Sequence, residues 1–214
     1  MSEPRRPSIF VMHFTHVEHL ATIARDGLLS DTAAQHTKAL QVEVGNRGIK
    51  EQRRQRIVPV APGGVVADYA PFYFAPRSPM MYAIEKGNVP TYAGGCDELV
   101  YLVSDVQRLL DLQLPTVFTD RNAVLGVTTF SDDPASLATL VDWPLMNERD
   151  WHNTPTEPDR RERRMAECLV HDRVPWQAFH GVVVRKEVCA TRASELLAAA
   201  GVNTRIVVRP EWYF

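Results

Sequence analysis

Short apolar runs, separated by polar turns and by stretches with helical spacing, make up the hydrophobic pattern of this chain. The run at 9–12 predicts a first buried strand, and the spacing of apolar positions over 17–25 predicts a helix that ends at Asp26-Gly27. The pattern also predicts further strands and helices, with strands at 65–69, 72–75, 99–103, 117–119, 167–170, 181–184 and 205–208, and helices at 79–86 and 193–200. Because strands and helices are interspersed without a regular βαβ repeat, we expect an α+β fold.

Length and composition are typical of one globular domain spanning 1–214, since 45% of the 214 residues are hydrophobic and 23% are charged. A net charge of −2 gives no overall positive field, so any contact with nucleic acid has to come from local patches. Three widely spaced cysteines predict a reducing compartment, and neither a disulfide framework nor a zinc site. Met1 to Pro7 lacks the apolar core of a secretory signal, and no run approaches the roughly 18 apolar residues of a membrane span. We therefore expect a cytoplasmic protein.

A basic segment over 47–56 is the strongest local charge feature. Its cations Arg47, Lys50, Arg53, Arg54 and Arg56 are opposed by a single acid, Glu51. Lys50, Arg53 and Arg56 recur every three residues, so a helix would display them on one face. Two interpretations stay open at this point, a partner that carries phosphate and a solvated surface helix.

Three polar side chains in apolar settings are the candidate chemical groups. His13 ends the first predicted strand, and Tyr73 alternates with Phe72 and Phe74 in an aromatic strand, so its ring faces away from theirs. Glu167 stands where a basic stretch runs into an apolar strand, and a carboxylate there is suited to stabilise positive charge that develops on a ribose. The alternative is structural: a hydrogen-bonding histidine, a core tyrosine and a solvent-facing glutamate.

The order His, Tyr, Glu resembles that of ADP-ribosyltransferases of the His-Tyr-Glu type, and nearly the whole chain resembles the DarT family of DNA ADP-ribosyltransferase toxins. The segment Phe72 to Met80 is the most specific part of the resemblance. The other matching segments are 13–16, the basic stretch before 58–64, 66–82, 87–88, 94–95, 100–103, 118–120, 166–170 and 212–214.

The resemblance implies an ADP-ribosyltransferase-like fold, with two small facing sheets, mixed or antiparallel, and flanking helices around a cleft. It implies sequence-specific transfer of ADP-ribose from NAD, without a metal, to a base of single-stranded DNA, most commonly thymine. It further implies a monomeric toxin, neutralised by a macrodomain antitoxin of the DarG type. The alternatives are transfer to guanine, RNA or protein, hydrolysis of NAD, or a non-catalytic module that binds NAD or nucleic acid.

Roles for individual residues also follow from the resemblance. Glu167 is the catalytic carboxylate, and Arg53 is preferred over Arg56 as the arginine beside the acceptor base. The residues assigned to NAD are His13, Thr15, Gly27, Leu28, Tyr73, Met80 and Met81. The region 131–165 corresponds to a substrate-recognition loop. The residues assigned to DNA are Arg47, Lys50, Arg56, Trp151, His152 and Arg160.

Overall fold

The computed structural model describes residues 8–37 and 42–214; the prediction about a secretory signal in Met1 to Pro7 lies outside them. Within these residues the strands are β1 (Phe10–His16), β2 (Leu28–Leu29), β3 (Tyr69–Tyr73), β4 (Leu99–Asp105), β5 (Thr116–Thr119), β6 (Phe130–Ser131), β7 (Glu167–His171), β8 (Arg173–Val174), β9 (Gly181–Val184) and β10 (Ile206–Val208). The helices are α1 (Leu20–Asp26), α2 (Asp31–Thr37), α3 (Arg47–Gln55), α4 (Pro79–Glu85), α5 (Val106–Asp111), α6 (Leu137–Leu140), α7 (Trp143–Asn147), α8 (Arg160–Arg163) and α9 (Glu187–Ala199).

An eight-stranded mixed sheet forms the centre of the fold, in the order β10-β9-β4-β1-β3-β7-β5-β6, and β2 pairs with β8 separately. Both faces of the large sheet are buried, because neighbouring residues such as Val11 and Met12, or Val182 and Val183, belong to different apolar clusters. This two-sided burial explains why the strands read as continuous apolar runs in the sequence.

A narrow seam between β1 and β3 divides the large sheet into two halves. β1 pairs with β4 through seven registered residues and β3 pairs with β7 through five, whereas β1 and β3 share one registered pair, Met12 with Tyr73. The Nδ1 of His13 bonds instead to the carbonyl of Pro71, 2.7 Å away. In an antiparallel sheet the N–H and C=O of one residue point to the same neighbouring strand. The carbonyl of Pro71 points to β1, and because proline has no N–H, β1 receives no backbone hydrogen bond from this residue. The proline and the histidine therefore keep the seam open.

The α+β class is confirmed, and the sheet count differs from the expected two small facing sheets. The two predicted sheets correspond to the two halves, which the single pair at the seam joins into one.

Some element bounds also differ from the predictions. Residues 65–69 were expected as a strand, but Val66–Asp68 is a 3₁₀ turn, because the Asp68 carboxylate accepts a hydrogen bond from the Val65 amide at 2.9 Å. The last helix begins at Glu187 rather than 193. Ser78 caps the start of α4, since its hydroxyl accepts a hydrogen bond from the Met81 amide.

Candidate active site

A cavity of about 240 Å³ opens at the seam between the two halves of the sheet. Strands β1, β3 and β7 contribute His13 and Thr15, Tyr73, and Glu167 to its wall, and α3 contributes Arg53. Tyr73 and Glu167 are registered partners across β3 and β7, so their side chains lie on the same face of the sheet. The structure therefore brings together residues that are up to 154 positions apart in sequence, since 167 − 13 = 154.

The Glu167 carboxylate is held by both of its oxygens. Oε2 accepts a hydrogen bond from Nη1 of Arg53 at 2.8 Å, and Oε1 accepts one from the Ala123 amide at 2.9 Å. Its own backbone amide donates to Oγ1 of Thr119. The side chain is 2% exposed, and a charge this deeply buried persists only when it is paired. The solvent-facing alternative for Glu167 is therefore wrong.

Arg53 presents an unused donor beside this carboxylate. Its side chain is 13% exposed, Nη1 is bound to Glu167, and Nη2 is buried with no hydrogen-bond partner among the described residues. Asn46 caps the start of α3, the helix that carries Arg53, because its side chain accepts hydrogen bonds from the amides of Gly48 and Ile49. Arg56 does not reach Glu167, because it follows the end of α3 and its guanidinium lies over the Phe130 ring.

His13 is a neutral side chain with a fixed tautomer. Burial is the main cause that lowers its pKa to about 4, and the charges of His19 and Arg53 add to this. Because the Pro71 carbonyl is an acceptor, His13 donates from Nδ1–H, which leaves Nε2 as a free acceptor. This arrangement suits a ligand hydroxyl, and it also explains the structural role of the residue at the seam.

Thr15 belongs to a short hydrogen-bond chain that the sequence did not reveal. The Val42 amide donates to Nε2 of His19, so the proton of this imidazole sits on Nδ1 and is donated to Oγ1 of Thr15 at 2.7 Å. Burial, helped by the charge of His16, lowers the pKa of His19 to about 4 and keeps it neutral. The Thr15 hydroxyl proton is then free to be donated into the cavity, which His19 also lines.

Two substitutions at His19 separate this role from simple packing. His19→Asn places an amide donor near the position of Nδ1, whereas His19→Gln places polar atoms near Nε2 and leaves Thr15 without its donor. Losing one neutral hydrogen bond costs about 1 kcal/mol. We therefore expect KM for NAD, the ligand that the resemblance implies, to rise about fivefold in His19→Gln and less in His19→Asn. We expect kcat to stay nearly unchanged in both variants. Equal KM values in steady-state assays of the two variants would contradict the role of the chain.

Tyr73 is a neutral aromatic wall of the cavity. Burial first, and the nearby Glu167 charge second, raise the pKa of its phenol well above the ordinary value. Its ring stacks on Phe14 with 6.2 Å between centroids and 12° between planes, which fixes its orientation. A ring held in this way offers a flat face to a planar ligand.

Gly27 and Leu28 also line the cavity, where α1 ends and β2 begins. Gly27 has φ of +85°, and a Cβ there would lie 2.9 Å from the Val174 carbonyl oxygen, against backbone that cannot easily shift. This position therefore requires glycine.

We expect Gly27→Ala to lower the free energy of unfolding by about 2 kcal/mol, since strain at such a φ costs roughly 1–3 kcal/mol. Gly126→Ala is the matched control, because φ at Gly126 is not in the left-handed region and a Cβ there meets nothing within 4 Å. Urea unfolding of both variants measures the difference. Equal urea midpoints for Gly27→Ala and Gly126→Ala would contradict the requirement for glycine at position 27.

The two methionines assigned to the cofactor are placed differently. Met80 lines the cavity, whereas Met81 is fully buried and its Sδ accepts a hydrogen bond from the Tyr101 hydroxyl at 3.0 Å. Met81 thus points from α4 into the core rather than lining the cavity. Asn122 and Met165 also line the cavity, and no sequence pattern pointed to them.

The basic residues of α3 have separate surroundings. Lys50 lines the cavity and is neutralised by Asp31 at 2.9 Å and Glu43 at 2.6 Å. Arg47 is exposed at the first position of the helix, and no ion pair to it occurs among the described residues. The solvated alternative therefore describes Arg47, whereas the charge of Lys50 is taken up by carboxylates of the protein.

The recognition-loop residues assigned to DNA are mostly engaged with the protein. Trp151 is 3% exposed and its indole N–H donates to the Arg77 carbonyl at 2.8 Å, so it cannot stack on a base as expected. Arg160 is paired with Glu148 and Glu157. His152 is exposed and stacked on Trp151, with 5.0 Å between ring centroids.

Two further structural findings concern the described residues. No group of three or more His, Cys, Asp or Glu side chains in 8–37 and 42–214 is placed to hold a metal ion. In the same part of the chain, no helix has the length and apolar character needed to cross a membrane.

Comparison with known proteins identifies the family to which the chain belongs. Residues 12–214 match the family model described as "ssDNA thymidine ADP-ribosyltransferase, DarT". A Mycobacterium tuberculosis (strain ATCC 25618 / H37Rv) protein named DNA ADP-ribosyl transferase is 36% identical over 215 residues, which cover 98% of this chain and 91% of the relative. The structure of Thermus sp. 2.9 DarT in complex with ADP-ribosylated ssDNA has a TM-score of 0.90 and 33% identity, with 100% of both chains covered. The NAD⁺ complex of that protein has a TM-score of 0.85 and 33% identity, covering 99% and 100%.

The fold and the cavity at its seam thus define an ADP-ribosyltransferase. The chain belongs to the DarT family of DNA ADP-ribosyltransferases. The resemblance stated from the sequence is confirmed, and with it the class of enzyme.

Proposed function

We propose that this chain transfers ADP-ribose from NAD to a thymine base of single-stranded DNA, within a short sequence motif. The observation that carries the proposal is the buried pair of Glu167 and Arg53, 2.8 Å apart, in a cavity shared with Tyr73 and His13. A buried ion pair with an unused donor, placed beside an acceptor and a flat ring, fits a reaction in which charge develops on a bound sugar and base.

Four groups on the wall of this cavity support the binding of NAD. Among the described residues nothing binds Nε2 of His13 or takes the proton of the Thr15 hydroxyl, so these groups suit ribose hydroxyls as acceptor and donor. The Tyr73 ring suits the planar nicotinamide. Met80 adds an apolar surface beside them. NAD⁺ is bound by a relative with 33% identity, which supports the same ligand here.

Glu167 stabilises the positive charge of the reacting ribose. The bond between C1′ and the nicotinamide nitrogen breaks, its electron pair leaves with nicotinamide, and the sugar becomes oxocarbenium-like. A carboxylate fixed by Arg53 and by the Ala123 amide faces that charge without having to reorganise. A new bond then forms between C1′ and the acceptor nitrogen of the base.

Arg53 acts on the acceptor base. Thymine N3 carries a proton that must leave as the new bond forms, so negative charge develops on the base. The Arg53 guanidinium is already protonated and cannot take this proton, which passes to water. We assign to Arg53 electrostatic stabilisation of the base through Nη2, which has no hydrogen-bond partner among the described residues.

A biological role as the toxin of a toxin–antitoxin pair, with a macrodomain antitoxin of the DarG type, extends the proposal. Membership of the DarT family supports this role. The predictions of a single domain, a monomer and a cytoplasmic location stand beside it.

The acceptor is tested with matched acceptors incubated with NAD and read by intact mass. The set contains a single-stranded oligodeoxynucleotide pool, the same pool with every thymine replaced by cytosine, the equivalent RNA pool and a mixture of proteins. We expect a gain of one ADP-ribose unit on thymine-containing DNA. A gain on the thymine-free pool, on RNA or on protein instead would identify that molecule as the acceptor and refute thymine as the modified base.

A further inference from the structure

The cations of this chain that lack a carboxylate partner are unevenly distributed. Most arginines of the recognition loop are paired, for example Arg163 with Asp159 and Glu157. By contrast, no ion pair to Arg77, Lys86 or Arg149 occurs among the described residues. Arg77 precedes α4 and Lys86 follows it, and Arg149 lies close enough to Arg77 for its charge to lower the pKa of Arg77. The chain thus has a local cationic surface although its net charge is −2.

Aromatic rings connect Arg77 and Lys86 into one patch, with Tyr82 at its centre. The Tyr82 ring lies 5.1 Å from Phe214 and 6.1 Å from His152, measured between centroids. Nζ of Lys86 lies 5.5 Å from the centroid of Tyr82, and the Arg77 guanidinium lies 4.0 Å from that of Phe214. We name this surface the basic–aromatic patch; it consists of Arg77, Tyr82, Lys86, Arg149, His152 and Phe214.

Positive charge also lies beneath the patch. Arg164 is 4% exposed, and its guanidinium donates to the carbonyls of Pro76, Leu145 and Glu148 rather than to a carboxylate. Burial lowers the pKa of Arg164 to about 10. Burial, followed by the charge of Arg149, also lowers the pKa of Arg77. Like charges gathered in this way repel each other, and an anionic ligand would relieve that repulsion.

The acids next to patch residues in sequence are engaged, and Glu85 pairs with Arg185. Asp150 pairs with His152, and Glu148 pairs with Arg160. The patch therefore keeps a positive balance from Arg77, Lys86 and Arg149. Exposed cations interleaved with aromatic faces are what proteins use to hold single-stranded nucleic acid, through phosphate contacts and base stacking.

The position of the patch relates it to the active site. Arg77 follows Tyr73 by four residues and precedes Met80 by three, and both of these line the cavity. Four residues span at most about 14 Å of chain, so a strand whose target base enters the cavity can extend over the patch.

We propose that the basic–aromatic patch is a second DNA subsite, which binds the phosphates and bases that flank the modified nucleotide. This proposal rests on single-stranded DNA being the substrate. It differs from the sequence-based assignment in placing Arg77, Lys86, Arg149, Tyr82 and Phe214 in contact with the strand, and in keeping only His152 of the loop residues named there.

The test is fluorescence anisotropy of labelled single strands of about 4 and about 16 nucleotides, titrated with protein across a range of salt and without NAD. The variant is Lys86→Ala/Arg149→Ala, both exposed positions. Because each lost phosphate contact removes about 0.7 from the slope of log K against log salt for single strands, we expect the slope to fall by about 1.4 with the long strand. We expect the Kd for the long strand to rise roughly tenfold, and to rise more than the Kd for the short strand.

Arg192→Ala/Arg205→Ala is the matched control, since it removes the same charge from residues outside the patch. A slope and Kd equal to those of this control would overturn the proposal, as would absence of long-strand binding by the unaltered chain. Anisotropy detects binding without transfer, so a chain that binds through the patch and leaves DNA unmodified would refute the proposed function and not the patch.

Discussion

Replacing Glu167 with glutamine should lower the rate of ADP-ribose transfer about a thousandfold, which is the cost of removing a preorganised electrostatic group from a buried site. Glutamine retains the volume and one carbonyl oxygen for the Ala123 amide, but it removes the charge that faces the ribose. With that oxygen on the Ala123 amide, the glutamine NH2 group faces Arg53, donor against donor. The rate is measured by mass spectrometry of a thymine-containing oligonucleotide under single-turnover conditions.

The same substitution should also destabilise the chain, by about 3 kcal/mol, because it leaves the buried Arg53 without its counter-charge. A double variant, Glu167→Gln/Arg53→Met, removes the uncompensated charge and should recover part of this loss in urea unfolding. It should recover none of the activity. Glu195→Gln, at an exposed position, is the control for both measurements. Transfer at an undiminished rate by folded Glu167→Gln would refute the catalytic assignment.

Arg53→Lys is the second substitution with a large expected effect. Lysine can keep the ion pair with Glu167, but it has one ammonium in place of the two-pronged guanidinium whose Nη2 is unengaged. We expect kcat/KM for the oligonucleotide to fall about a hundredfold, as for loss of one donor to a developing anion. The Kd for NAD, measured by calorimetry, should change much less.

Arg54→Lys is the matched control for this effect. Arg54 is the next residue of the same helix, and it pairs at the surface with Glu51 at 3.2 Å and Asp31 at 3.0 Å. Surface pairs of this kind contribute about 0–1 kcal/mol, so transfer by Arg54→Lys should stay near that of the unaltered chain. An Arg53→Lys variant that loses NAD affinity and transfer to the same extent would place Arg53 at the dinucleotide rather than at the base.

Much of the fold and the set of candidate groups followed from the sequence. The apolar runs located most of the strands that line the seam, and the alternation around Tyr73 predicted the side to which its ring points. The preference for Arg53 over Arg56 agrees with the contact to Glu167. That contact joins residues 114 positions apart, and no local pattern could have fixed its register.

Other parts of the site depend on tertiary contacts with no local signature. The Ala123 amide binds Glu167 through its backbone, so its side-chain type gives no indication of the role. His19 was read only as part of a helical stretch, although its two ring nitrogens link Val42 to Thr15. Trp151 was expected on the surface, but its indole N–H satisfies the Arg77 carbonyl inside the fold. The single pair between β1 and β3 likewise depends on Pro71, whose effect on the sheet requires knowing its neighbour.

Transfer to DNA is decided by the intact mass of a thymine-containing single-stranded oligonucleotide after incubation with NAD and the purified chain. We expect a gain of one ADP-ribose unit, which is absent with Glu167→Gln and present with Glu195→Gln. An unchanged oligonucleotide mass, with NAD still cleaved to ADP-ribose and nicotinamide, would contradict transfer to DNA and leave water or protein as the acceptor.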